Sequence, residues 1–169
     1  MYATIPYQTS NPEREKHYQD VLARIEALLQ GEDDWVAAMA TISCELHHSF
    51  DYYHWTGFYR TVALDTLKIG PYQGGHGCLV IPFNKGVCGA AARTQKTQMV
   101  DDVNLFEGHI ACSSTTISEI VVPILDSEGK TVAVLDVDSD NHKAFNEVDQ
   151  KHLESLCNIL GQSFFSKKN

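Results

Sequence analysis

The spacing of hydrophobic positions changes several times along the chain, and each change predicts a different element. Residues 12 to 29 place apolar side chains at helical spacing, with Asn11 as a cap. A second helix follows Asp33 and Asp34, whose charges suit a helix N-terminus. A last helix follows Asn146 and repeats apolar residues every three or four positions. The pattern therefore predicts long helices near both ends of the chain.

Between these helices the pattern becomes that of β-strands. An aromatic and β-branched run from Tyr52, followed by a turn at Asp65 and a second run, predicts a hairpin. The segments EIVVPIL and TVAVLDVDS predict another, with Gly129 at a turn position of positive φ. A short helix in GVCGAAARTQ and a long polar loop over residues 103–118 lie between them. We expect an α+β domain, with a central antiparallel sheet, the terminal helices on one face and loops on the other.

Composition narrows the class of protein without changing this picture. The 169 residues suit a single domain spanning 1–169, with residues 1–11 as a flexible N-terminal segment. A formal net charge of −9 repels nucleic acid and anionic membrane surfaces. The chain shows neither a signal peptide nor an apolar run long enough to span a bilayer, and its five cysteines are odd in number and irregularly spaced. We expect a soluble cytoplasmic protein in a reducing compartment.

The five cysteines divide into two groups by their surroundings. Cys44 and Cys157 fall on apolar helix faces, where a thiol behaves as a small core hydrophobe. Cys78, Cys88 and Cys112 lie in flexible or polar segments where a thiolate can form, and two of the three would suffice for thiol redox chemistry. The helix start at Cys88 favours a lowered pKa, whereas the loop of Cys112 is long enough to move. These arguments leave open which cysteine attacks, and three unrelated thiols remain an alternative.

Carboxylates and aromatic residues supply the second candidate group. Asp136 and Asp138 are two residues apart on one predicted strand and share a face, and Glu119 opens the neighbouring strand. Crowding three carboxylates would raise at least one pKa and give a proton donor near neutral pH. Trp55 and Tyr59 also share a strand face and could wall a pocket. A solvated strand end and an ordinary core are the simpler explanations of these two patterns.

Metal and nucleotide motifs are missing from the sequence. The eight histidines form no H-x-x-x-H or H-E-x-x-H pattern, and the cysteine spacing fits no zinc motif. The glycine-rich stretches GGHG and GVCG match neither a P-loop nor a dinucleotide-binding fingerprint. We therefore expect no metal and no organic cofactor.

Several blocks of the sequence together resemble one known family. The blocks are WTGFY, GPYQG, GCLVIPFNKGVCGAAA, VDDV, FEGHIACSSTTISEIVVPI and AVLDVDS, in this order. They resemble the free methionine-R-sulfoxide reductases, which are single GAF domains, from about Trp55 to the final helix. The resemblance implies a GAF-like fold with an antiparallel sheet, terminal helices on one face and a ligand pocket under loops on the other.

The resemblance also implies an activity and a role for each cysteine. The substrate would be free L-methionine-(R)-sulfoxide, the reductant thioredoxin, and the product L-methionine. Cys112 corresponds to the family's nucleophile, Cys78 to its resolving cysteine and Cys88 to a cysteine that takes part in disulfide exchange. The preference for the R epimer comes from the resemblance alone.

The resemblance assigns the remaining site residues to substrate binding and protonation. Glu119 and Asp138 would face the sulfoxide oxygen, with Asp136 beside them. Trp55 and Tyr59 would form the wall that holds the S-methyl group. An acid of the VDDV block, Asp101 or Asp102, would hold the substrate's ammonium.

Two other functions are compatible with the same residues. A non-catalytic GAF sensor would bind a small ligand or respond to oxidants without consuming reductant. A thiol peroxidase would prefer hydrogen peroxide to methionine sulfoxide. The apolar and aromatic surface of the terminal helices is also compatible with a homodimer.

Overall fold

A computed structural model describes residues 3–108, 110 and 115–166. Its helices are α1 (Asn11–Leu28), α2 (Trp35–Ser49), α3 (Gly86–Thr94) and α4 (Glu147–Phe165), and a short 3-10 helix spans Val103–Leu105. Its strands are β1 (Trp55–Ala63), β2 (Thr66–Gln73), β3 (Val80–Pro82), β4 (Gln98–Val100), β5 (Ser118–Leu125) and β6 (Thr131–Ser139).

The described strands form one antiparallel sheet in the order β3-β2-β1-β6-β5-β4. The expected hairpins are β1–β2 and β5–β6, and they meet where β1 pairs with β6 at the centre of the sheet. Asp65 and Gly129 lie in the two turns with φ of 51° and 76°. The predicted α+β class and antiparallel sheet are therefore confirmed.

One face of the sheet is covered by α1, α2 and α4, as the helix pattern predicted. Alternate residues of the central strands point to this face because side chains alternate along a strand. The apolar core here includes Tyr18, Ile42, Phe58, Ile120, Val122, Leu135, Val137, Leu153 and Leu156. A second, smaller apolar cluster lies on the opposite face beneath α3. The candidate functional site lies on that opposite face.

A buried polar cluster joins α1 to α4 inside the larger core. The Arg14 guanidinium pairs with the Asp149 carboxylate, and both side chains are almost fully buried. The hydroxyls of Tyr18 and Tyr52 each donate to Asp149 Oδ1 at 2.8 Å. Removing one member would leave the others buried and unpaired, which is costly for a charged group. This cluster therefore fixes the relative position of the terminal helices.

The ends of the helices differ in one detail from the sequence prediction. Ser10 occupies the N-cap position of α1, and Asn11 is already helical. The N-terminal segment contacts the domain. Ile5 forms a parallel β-bridge with Phe50, and the Tyr7 carbonyl accepts a hydrogen bond from the Arg14 side chain. None of the helices in the described ranges combines the length and apolar character needed to cross a bilayer.

The cap of α4 is as predicted. The Asn146 side chain accepts from the Val148 amide at 2.8 Å, and the Asp149 carboxylate accepts from the Asn146 amide at 2.8 Å. These two bonds form a capping box that satisfies amides at the start of the helix.

We expect Asn146→Ala to lower the free energy of unfolding by about 1 kcal/mol, because the cap loses its side-chain acceptor. Urea unfolding followed by circular dichroism measures this change. Asn158→Ala, at an exposed position in the middle of the same helix, is the matched control. An equal loss of stability in both variants would contradict a role for the cap.

Candidate active site

The pairing of β5 with β6 brings three carboxylates together on the face opposite the helices. Glu119 lies directly across from Asp138, and Val121 lies across from Asp136. Because Asp136 and Asp138 are two residues apart, both side chains point to this face with Glu119. All three line one cavity. The predicted clustering of the three acids is therefore confirmed.

Burial raises the pKa of each of these carboxyl groups. Desolvation is the largest cause for all three, and repulsion from Asp136 adds to it at Glu119 and Asp138. The pKa of Asp136 rises to about 6, and the neighbouring side chains of Cys88 and Glu119 moderate this rise. A hydrogen bond with Thr116 partly offsets the rise at Asp138. The site can thus hold protonated carboxyl groups near neutral pH.

Stacked aromatic rings form one wall of the cavity. The Trp55 and Tyr59 rings lie 5.8 Å apart between centroids, and Tyr72 stacks on Trp55 at 5.3 Å. A Cβ at Gly57 would lie 2.8 Å from the Trp55 ring and 2.3 Å from the Tyr72 Cβ, so a larger residue would clash with the stack. Trp55 Nε1 donates to the Gly75 carbonyl at 3.1 Å, which fixes the indole.

The cavity is small and has both apolar and acidic walls. Its empty volume is about 480 Å³, including the open space at its mouth. Burial and the nearby acids raise the pKa of Tyr59, so its hydroxyl remains a neutral donor. The described lining residues are Trp55, Tyr59, His76, Gly77, Ile81, Gly86, Val87, Cys88, Ile110, Thr116, Glu119, Asp136 and Asp138. The cavity suits a small polar ligand with one apolar group.

Cys88 lies at the cavity floor, but its environment differs from the sequence prediction. The thiol is buried, with 3% of the residue exposed, and Sγ lies 4.0 Å from Glu119 Oε1. Desolvation, followed by repulsion from Asp136 and Glu119, raises the pKa of Cys88 well above its ordinary value. The predicted lowering of this pKa was wrong, because burial beside acids outweighs the start of a nine-residue helix.

The other cysteines have distinct positions. Cys78 is partly buried, packs against the cluster beneath α3 and is disulfide-bonded. Cys157 is buried in the larger core, as predicted, whereas Cys44 is only partly buried and its Sγ lies 3.8 Å from His48 Nδ1. The predicted nucleophile Cys112 lies outside the described residues.

The acids of the VDDV block lie outside the described lining of the cavity. Asp101 is exposed, and its Oδ2 lies 3.1 Å from Lys143 Nζ. Asp102 accepts from the Asn104 amide at 2.9 Å, and this bond lowers its pKa. Asp101 is therefore a surface residue in an ion pair, and its predicted contact with the substrate's ammonium stays a prediction.

Sequence reasoning missed several residues in and around this cavity. Tyr72 is on the β2 strand next to Trp55, but its stacking depends on the hairpin register. Thr116 and Ile110 belong to the long loop, where no periodicity predicts which side chains face inward. Gly57 carried a usable signal, since a glycine between Trp55 and Tyr59 on one strand face suggests close packing.

Comparisons with known proteins identify related sequences. A family model for the GAF domain matches residues 31–164. The chain is 41% identical over 161 residues to a free methionine-R-sulfoxide reductase of Saccharomyces cerevisiae, covering 92% of this chain and 89% of the relative. It is 37% identical over 139 residues to the Escherichia coli protein of the same name, covering 82% and 83%.

The fold is also similar to solved structures. The free methionine-R-sulfoxide reductase of Neisseria meningitidis, solved in complex with its substrate, superposes with a TM-score of 0.85 at 40% identity. The match covers 97% of this chain and 96% of that one.

The raised pKa of Asp136 predicts how stability depends on pH. The folded protein keeps the Asp136 proton up to about pH 6, whereas the unfolded chain releases it near pH 4, so this group lowers stability as the pH rises between those values. In the Asp136→Asn variant the side-chain amide has no proton to release in this pH range. We expect this substitution to stabilise the protein by about 2–3 kcal/mol more at pH 7 than at pH 4, measured by urea unfolding.

The control for this experiment is Asp65→Asn, in the exposed β1–β2 turn. If both substitutions change the free energy of unfolding by the same amount at the two pH values, the carboxyl of Asp136 is not perturbed as described.

Proposed function

This chain belongs to the free methionine-R-sulfoxide reductase family of GAF domains, and we propose that it reduces free L-methionine-(R)-sulfoxide to L-methionine. One observation carries the proposal at the level of the site. Three buried carboxyl groups with raised pKa values face the same small cavity as a stacked aromatic wall. A sulfoxide needs both features, because its oxygen must be protonated and its methyl group desolvated.

The substrate is proposed to bind with its S-methyl group against Trp55 and Tyr59. Its sulfoxide oxygen points toward Glu119 and Asp138, and Asp136 lies beside them on the floor. Glu119 has the burial and the raised pKa of a proton donor to that oxygen. The amino-acid end of the substrate extends toward the mouth of the cavity. The acid proposed to hold its ammonium is Asp101 or Asp102, both of which lie outside the described lining of the cavity.

The proposed reaction moves one oxygen from sulfur to a cysteine. Cys112 thiolate attacks the protonated sulfoxide, methionine leaves, and Cys112 becomes a sulfenic acid. The Cys78 thiol then condenses with it, releasing water and forming a Cys78–Cys112 disulfide. Two thiols of thioredoxin reduce that disulfide and restore both cysteines. No metal or organic cofactor takes part in these reaction steps.

Burial supports the choice of Cys112 over Cys88 as the attacking cysteine. A thiolate is the nucleophile, and the raised pKa of Cys88 disfavours that form. The disulfide-bonded state of Cys78 supports its assignment as the resolving cysteine. Cys88 is left with disulfide exchange as its proposed role in the cycle.

Thioredoxin as reductant and a cytoplasmic location belong to the proposal as well. The acidic charge and the cysteine content suit a reducing compartment. A single catalytic domain over residues 1–169 and a homodimer are further expectations of the same kind.

Cys112→Ser tests the core of the mechanism. We expect turnover of free R-sulfoxide with thioredoxin to fall to background, because a serine hydroxyl cannot accept the oxygen and then form a disulfide. Cys44→Ser, in a partly buried thiol on α2, should retain turnover within about twofold of the unchanged protein. Substantial turnover by Cys112→Ser would overturn the assignment of the nucleophile.

A panel of oxidised substrates tests the choice of substrate. We expect consumption of thioredoxin equivalents with the free R epimer, and at least about a hundredfold less with the free S epimer or a peptide-bound sulfoxide. The preference for the R epimer follows that of the family, and the preference for the free amino acid follows from a small cavity and from acids that capture a free amine. Chiral chromatography of the products measures this preference. Ligand binding without consumption of reductant would indicate a sensor, and faster reduction of hydrogen peroxide would indicate a thiol peroxidase.

A further inference from the structure

Three side chains at the floor of the cavity have the geometry of a metal site. Cys88 comes from α3, Glu119 from β5 and Asp136 from β6. One donor atom of each lies within 4.8 Å of the others, and all three residues are buried. These residues are far apart in sequence, which explains why motif spacing predicted no metal.

The one donor–donor distance that is known for this group is close to that of tetrahedral zinc. Bond lengths of about 2.3 Å to sulfur and about 2.0 Å to a carboxylate oxygen place two such ligands about 3.5 Å apart at the tetrahedral angle. Cys88 Sγ and Glu119 Oε1 are 4.0 Å apart. A contraction of roughly half an ångström would therefore bring this pair to the zinc distance.

An unpaired oxygen at the same place points independently to a ligand. Asp136 Oδ1 is buried and has no hydrogen-bond partner among the residues that the structure describes, although Asp136 is only 5% exposed. Such an atom is costly to bury without a proton donor or a cation. The described cavity lining contains no lysine or arginine. A cation bound between these groups would satisfy the oxygen.

We propose that Cys88, Glu119 and Asp136 form a binding site for Zn²⁺, with the fourth coordination position open toward the cavity. One thiolate with two carboxylates suits zinc better than magnesium or calcium, which favour oxygen ligands only. Binding leaves the oxidation state of every atom unchanged. The thiol proton, and any proton held by the two carboxyl groups, passes to solvent as the metal binds.

The functional consequence rests on the proposed function. Glu119 cannot both coordinate zinc and protonate a sulfoxide, so bound zinc and substrate exclude each other. Zinc would thereby act as a reversible competitive inhibitor of the reductase, released when the free metal concentration falls.

The binding test uses the 169-residue chain, reduced with a phosphine and stripped of metal. Zinc affinity is measured by competition with a chromophoric chelator, and Co²⁺ replaces zinc to report thiolate ligation through its charge-transfer absorption. We expect one zinc per chain, an affinity lowered by about 100-fold or more in Cys88→Ser, and loss of the charge-transfer band in that variant. Glu119→Gln should also weaken binding. Cys157→Ser, a buried thiol in the other core, should leave affinity and band unchanged.

Two outcomes would overturn the site. One is wild-type protein that binds no zinc in competition with the chelator. The other is Cys88→Ser protein, folded by circular dichroism, that keeps the affinity and the band, since the metal would then be held by Cys78 or Cys112. Glu119→Gln provides an independent answer if Cys88→Ser does not fold.

The inhibition test measures a single turnover of pre-reduced protein. Thioredoxin is left out because its own thiols would bind zinc. We expect zinc to raise the sulfoxide concentration needed for half-maximal rate and to leave the maximal rate unchanged. Inhibition that substrate cannot reverse would overturn the competition. Because binding is measured without substrate, failure of zinc to bind leaves the reductase proposal standing, and absence of sulfoxide reduction leaves the zinc site standing.

Discussion

The antiparallel pairing of β5 with β6 is the constraint on which the rest of the structure depends. Alternation along these strands sends Ile120, Val122 and Leu135 into the helix-covered core and sends the carboxylates to the other face. A slip of one residue would exchange the two sets, burying acids in the apolar core and exposing the apolar side chains. The same strand register therefore determines both the apolar core on one face and the group of carboxylates on the other.

This arrangement lowers stability at the site, and the opposite face offsets it. Carboxyl groups with pKa values raised by desolvation favour the unfolded chain at neutral pH, where they would ionise freely. The helix-covered core contains the large aromatic and aliphatic side chains, together with the Arg14–Asp149 pair that joins α1 to α4. A site with buried, protonated carboxyl groups thus depends on the stability that the core on the opposite face supplies.

The sequence predicted those features that depend on local periodicity. Strand alternation was enough to place Asp136 and Asp138 on one face, and helix period with a capping residue was enough to place the start of α4. Residues whose role depends on packing were missed. Tyr72 joins the aromatic wall only through the β1–β2 register, and Asp101 pairs with Lys143, which is distant in sequence. Neighbours across the fold decide such positions, and no local pattern reports them.

Two opposing effects act on the pKa of Cys88, and burial is the larger. Amides at a helix start favour a thiolate by about 0.3–1 kcal/mol when exposed, whereas full burial shifts a pKa by up to about 3–5 units, several times as much in energy. Glu119 and Asp136 add repulsion to that burial, so the thiol keeps its proton unless a cation takes its place. The environment that makes Cys88 a poor nucleophile leaves it well suited to bind a metal, because a divalent cation reverses the repulsion that the carboxylates impose.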